Sequence, residues 1–134
     1  MKKTIESINP EGWRRANGYS NGIAARGRMV FVAGQVGWDG NMVFHSFDLV
    51  DQVRQALMNV VAIVEAAGAR TEHITRMTWY LGDAAEYNRR LREIGQTYRE
   101  VIGRHYPAMT AIQVAGFVEE GAKVEIEATA VVPE

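Results

Sequence analysis

The sequence predicts a single α+β domain. Two stretches repeat apolar residues at the three- and four-residue steps of amphipathic helices, β-rich segments flank them, and the order reads strands, helix, strand, helix, strands. A length of 134 residues suits one domain spanning 1–134. A chain of that size buries roughly two-thirds of its unfolded surface and needs no staples to fold.

Thr4 to Ile8 alternates apolar and polar side chains as a short strand does. Asn9 to Gly18 contains Pro, Gly and Asn and reads as a loop. Tyr19 to Ala25 is a second short strand, and after a turn at Gly27-Arg28 the apolar run Met29 to Ala33 suggests a strand buried on both faces. Asp39-Gly40 is a hairpin-turn dipeptide that would pair Met42 to Phe44 back as a strand.

The first helix is predicted from about Asp48 to Ala67, with a stripe of Leu49, Val53, Leu57 or Ala56, Val60 and Val64. Ser46 or Asp48 can cap its first turn, and Gly68 supplies a left-handed stop. Ile74 to Leu81 is a strand. Asp83 and Glu86 have the spacing of a capping box for a second helix from Ala84 to about Gly103, striped by Tyr87, Leu91, Ile94, Tyr98 and Val101 or Ile102. Gly95 inside it costs about 1 kcal/mol against alanine, so close packing requires it or the helix is locally weak.

Met109 to Val114 and Lys123 to Val132 form the last strands, joined by Gly116 to Gly121. On the final strand Lys123, Glu125, Glu127 and Thr129 share one face, and Val124, Ile126, Ala128 and Ala130 the other. Two helices cover one face of the sheet. The opposite face, with Trp38 and Trp79 or their neighbours, would meet another subunit.

Composition narrows the function. The chain has no cysteine, which excludes disulfides, thiolate metal sites and a cysteine nucleophile, and fits a reducing, cytoplasmic setting. Met1 to Pro10 lacks the apolar core of a signal peptide. The longest apolar-rich stretch, Leu49 to Ala67, is broken by polar residues, so no membrane partner is expected. The net charge of −1 and the pI near 6.3 argue against a nucleic-acid partner. Arg89, Arg90 and Arg92 read as a solvated helix face. His45, His73 and His105 lack metal-ligand spacing. Ser20 has no histidine base beside it in sequence, and Gly34 to Gly40 has no phosphate-loop spacing.

Several segments, in order along nearly the whole chain, resemble the RidA (reactive intermediate deaminase, YjgF) family. They are Gly18-Tyr19-Ser20-Asn21-Gly22, Phe31 to Gln35, Gln52 to Val60 with Glu65 to Gly68, and Tyr106-Pro107-Ala108 followed by Val124 to Ala128. The resemblance implies a chorismate-mutase-like fold: a mostly antiparallel six-stranded sheet with two helices packed on one face. It implies a homotrimer with a small-molecule cleft between subunits, and hydrolysis of enamines and imines such as 2-aminoacrylate to a keto acid and ammonia. No metal and no organic cofactor is implied.

The Gly18 to Gly22 segment is one residue shorter than the family's GxYSxG pattern, and one further position departs from the family. Where deaminating members follow Pro-Ala with an arginine that holds the substrate carboxylate, this chain has Met109. Methionine offers a flexible thioether and no donor. The pocket is therefore expected to be more apolar and wider, suited to a conjugated, aminomuconate-like acid.

Glu125 matches the family glutamate that positions or activates water; from the residues alone an ordinary exposed strand glutamate is the simpler reading, and the resemblance favours the site. Tyr19 and Trp38 match cleft positions, with subunit packing as the other reading. Ala108, Met109 and Thr110 line the same strand. Arg15, or Arg14, could reach in as a replacement anchor, although a solvated loop arginine is the simpler reading. A non-catalytic binding module and a tautomerase are the competing functions; a ribonuclease fits the charge least.

Overall fold

The computed structural model describes residues 4–134. The chain order is β1 (Ile5–Ile8), β2 (Gly22–Ala25), β3 (Arg28–Val36), α1 (Leu49–Ala66), β4 (Ile74–Leu81), α2 (Ala84–Arg89), α3 (Leu91–Val101), β5 (Ala108–Gln113) and β6 (Val124–Val132), with a 3₁₀ turn at Thr71–His73. The α+β class and its helix layer are as the sequence predicts. The sheet is divided: β1 and β2 form an antiparallel ribbon, and β3-β6-β4-β5 form a four-stranded sheet. One bridge, Ser20 to Ala108, joins the ribbon to the edge of the larger sheet. It is held by the Ser20 amide on the Pro107 carbonyl (3.0 Å) and the Ser20 hydroxyl on the Tyr106 carbonyl (2.5 Å). Tyr19 to Asn21 thus contributes a single rung.

β3–β6 and β6–β4 pair antiparallel, whereas β4 and β5 run parallel. A parallel pair needs a crossover, and α2 and α3 provide it.

α1 begins where Asp48 accepts from the amides of Val50 (3.1 Å) and Asp51 (3.2 Å). It ends before Gly68, which takes φ 82° as the αL stop requires. Its stripe of Val53, Ala56, Leu57, Val60 and Val64 has no exposed surface, and burying each larger member contributes about 1.5–3 kcal/mol.

The second predicted helix is two helices, interrupted at Arg90 (φ −112°, ψ 20°). Arg90 is no solvated helix-face residue. Its fork grips Glu93 (3.1 and 2.9 Å), and its Nη1 donates to Asp48 (2.6 Å), tying the α1 cap to the start of α3. The Arg90 hydrogen bond, followed by the capping amides, holds the Asp48 carboxyl below its usual range. A carboxyl with a lowered folded pKa stabilises the protein above its unfolded pKa, and that stability disappears as pH falls through the folded value. Asp48→Ala is expected to lose about 1–2 kcal/mol at pH 7. The deficit relative to wild type should shrink below about pH 4. Chemical denaturation at both pH values checks this.

Two expectations for the open face are corrected. β3 is not buried on both sides: Met29 is 56% and Phe31 72% exposed, because the helices cover one face only. Trp79 lies under the helices at 4% exposure, and the apolar groups left open on the sheet are Met29, Phe31 and Ile112. Met42 to Phe44 forms no strand beyond the bridge from Phe44 to Trp38. Asp39 begins the turn rather than occupying its centre: its carbonyl accepts from Met42 (2.9 Å), its carboxylate accepts from Asn41 (2.8 Å) and Val43 (3.1 Å), and Met42 takes φ 62°. Among the described residues no helix is long and apolar enough to cross a membrane.

Candidate functional site

A cavity of about 570 Å³ lies on the helix side of the sheet between β5, α3 and the Asn17–Tyr19 loop. Register explains which β5 residues reach it. Met109 stands beside Met77 and Ala111 beside Trp79, on the side where β4 is buried. Ile94 and Tyr98 of α3 form the opposite wall, with Tyr87 of α2. Trp79 meets Tyr87 edge-on (centroids 6.3 Å apart), and Tyr98 stacks on Tyr106 (5.6 Å, planes 17° apart). The Tyr98 hydroxyl donates to the His105 carbonyl (2.5 Å). Burial raises the pKa of both Tyr87 and Tyr98, so these walls stay neutral at physiological pH. The amide and charged side chains that line it are Asn17, Asn88 and Arg99.

Glu125 lies on the other face. It stands beside Tyr80 on β4, three residues from Met77 and therefore on the opposite side of that strand. Its carboxylate crosses β3 at Gly34, where a Cβ would sit 2.0 Å from Glu125 Oε2; only glycine leaves that path open. The neighbouring Glu127 is engaged, because the Tyr80 hydroxyl donates to it. That bond, with burial, raises the Tyr80 pKa, and the charge of Glu125 adds to the effect. Thr110 beside Thr78 and Ala108 beside Arg76 share the open face.

Of the residues singled out from sequence, the fold thus brings Tyr19 and Met109 into one cavity. It puts Glu125, Ala108 and Thr110 on the reverse of the same sheet. Arg15 lines a smaller neighbouring cavity that shares Tyr19 and Tyr106. Trp38 is at neither place; it packs on Phe44 (centroids 5.6 Å), and its carbonyl accepts from Asn59 (2.6 Å). Sequence reading missed Arg99 and Tyr106 as cavity residues, and took Trp79, Tyr87 and Tyr98 only as packing. The three histidines are held locally: His45 by Asp39 (2.6 Å), His73 by the Arg70 amide (3.0 Å) and His105 by the Ile74 carbonyl (2.6 Å).

Comparison with known proteins gives a consistent answer. The family model "Endoribonuclease L-PSP" matches residues 12–132. A 2-iminobutanoate/2-iminopropanoate deaminase of Salmonella typhimurium is 33% identical over 134 residues, covering 98% of each chain. The human protein of that name is 31% identical over 107 residues, covering 78% of this chain and 73% of its own. Among solved structures, the Rid-family protein YyfB of Yersinia pestis superposes with a TM-score of 0.84 at 28% identity, covering 97% of this chain and all of that one. TdcF of Escherichia coli with bound serine superposes at 0.67 with 32% identity, covering 95% and 98%. The match spans the cavity, the Glu125 face and the strands between them, and the chain belongs to the endoribonuclease L-PSP family, the RidA/YjgF family of reactive intermediate deaminases.

Proposed function

We propose that this protein hydrolyses the imine or enamine of a 2-amino acid to the 2-keto acid and ammonia, in a cleft completed between copies of the chain in a homotrimer. The observation that supports this reading is the division of the site across the sheet. The Tyr19–Met109 cavity and the Glu125 carboxylate lie on opposite faces of one protomer. A reaction that needs both takes the carboxylate from one copy and the cavity from another. The uncovered Met29, Phe31 and Ile112 support such an assembly, and the serine in the TdcF structure supports an amino-acid-sized ligand class.

The chemistry is modest. Water attacks the C2 carbon of the iminium, and Glu125 accepts a proton from that water as the C–O bond forms. The carboxylic acid then returns the proton to the nitrogen. The C–N bond breaks, ammonia leaves, and the carbinolamine hydroxyl gives its proton to the regenerated Glu125 carboxylate, which passes it to solvent, leaving the keto acid. One carboxylate alternating as base and acid suffices. With Glu127 already engaged by Tyr80, Glu125 is the carboxylate available for this work.

The test uses imines generated in situ by an amino-acid oxidase, with keto acid and ammonia measured against time. Acceleration over the uncatalysed rate is expected. Equal rates with and without protein would reject the deaminase reading and favour a binding module, the reading that Met109 in place of an arginine supports.

A further inference from the structure

We propose that Arg99 is the anion-holding residue of the cavity, and that the ligand it selects is a carboxylic acid with a flat, unsaturated or aryl body. The inference rests on the proposed function for the place of the site, not for its reaction.

Three observations meet at this point. First, Arg99 is the one charged residue on the cavity wall among the described residues, and no carboxylate lines it. Its neighbours on α3 are engaged elsewhere: Glu100 pairs with Arg54 (2.7 Å) and Glu93 with Arg90 (2.9 Å), while Arg99 makes no ion pair among the described residues. A guanidinium without a partner, beside a largely apolar hollow, favours an anion; its planar fork suits a carboxylate through two parallel bonds.

Second, Gly95 gives Arg99 its path. The two stand four apart on α3 and so share one helix face. Arg99 Nη1 lies 3.3 Å from the point a Cβ on Gly95 would occupy. Glycine is a poor residue for a helix interior, yet here it leaves the track along which the arginine folds back over the wall. Gly95 itself lines the cavity.

Third, the Trp79 side chain, 4% exposed, lines the same cavity, and its indole N–H is buried without an acceptor. Buried donors without partners are rare. The nitrogen is closed to a molecule the size of water, so a ligand oxygen reaches it only if the wall around it shifts on binding. The shape requirement comes from the walls: Tyr98 and Tyr106 are stacked nearly parallel, Tyr19 is half exposed, and Met109, whose thioether is of a kind that contacts rings favourably, lines the same cavity. A three-carbon acid fills little of about 570 Å³.

The experiment is calorimetric titration of the full chain with phenylpyruvate and with pyruvate, two stable keto acids that differ in the ring. Wild type is expected to bind phenylpyruvate at least tenfold more tightly than pyruvate. Arg99→Gln should weaken phenylpyruvate at least tenfold, and Arg99→Lys should recover part of the loss. Gly95→Ala, which crowds the guanidinium while favouring the helix, should weaken binding several-fold with an unlowered melting temperature. Equal phenylpyruvate affinity in wild type and a folded Arg99→Gln would overturn the inference. So would equal affinity of wild type for the two acids. Turnover separates this from the deaminase reading. Arg99-dependent binding without turnover leaves the anion site standing and rejects the reaction; Glu125-dependent turnover with no effect of Arg99 does the reverse.

Discussion

Glu125→Gln is expected to lower keto-acid release by about 100-fold or more, the range seen when a proton-transferring side chain is removed. Glutamine keeps the size and planarity of the side chain and loses the proton-accepting oxygen. Glu125 is half-buried on a sheet face and makes no ion pair among the described residues, so folding should be unaffected. Melting curves within a degree or two of wild type, with ligand affinity kept, would separate lost chemistry from lost structure. Glu127→Gln is the control. Its partner is the Tyr80 hydroxyl, a bond that an amide oxygen can still accept. It should retain most of the activity. Equal losses in the two variants would mean that neither carboxylate has a distinct role.

The largest expected loss of stability is at Gln52. This side chain is 1% exposed and makes three bonds to backbone. It donates to the carbonyls of Ser46 (3.1 Å) and Gly121 (2.9 Å), and accepts from the amide of Lys123 (2.8 Å). It thereby fastens the loop before α1 and the loop before β6 to one point on the helix. Gln52→Leu preserves volume and orphans those three groups, each costing about 1–3 kcal/mol when left buried and unpaired. Partial access of water reduces the sum. A net loss of about 3 kcal/mol is expected, or about 10 °C in melting temperature for a chain of this size. Denaturant titration measures it, and a change below about 1 kcal/mol would mean the loops hold without this residue.

Much of the fold was legible because its signals are local. The α1 stripe, the Asp48 cap, the Gly68 stop and the alternation of β6 each arise from a few neighbouring residues. The misreadings have non-local causes. Arg90 breaks the second helix while its side chain is held by Asp48, forty-two positions away. The apolar run in β3 reads as doubly buried until the position of the helices is known. Gly95 was visible as an anomaly, but its meaning needed the Arg99 side chain beside it. Of the site, Tyr19 and Met109 could be placed together from resemblance, and Glu125 could be assigned to a face. Nothing in the linear pattern says that the cavity and that carboxylate occupy opposite sides of one sheet.

That separation is the centre of the account, and mixing two inactive variants tests it most directly. Glu125→Gln lacks the carboxylate, and Tyr19→Ala damages the cavity; each alone should have little activity. If the two half-sites come from different copies, subunits exchanged by mild denaturation and refolding should pair an intact Glu125 face with an intact cavity. Activity should then reappear, in a particle of three times the 14.9 kDa chain mass. A mixture as inactive as its components, or an active particle with the mass of one chain, would contradict the account.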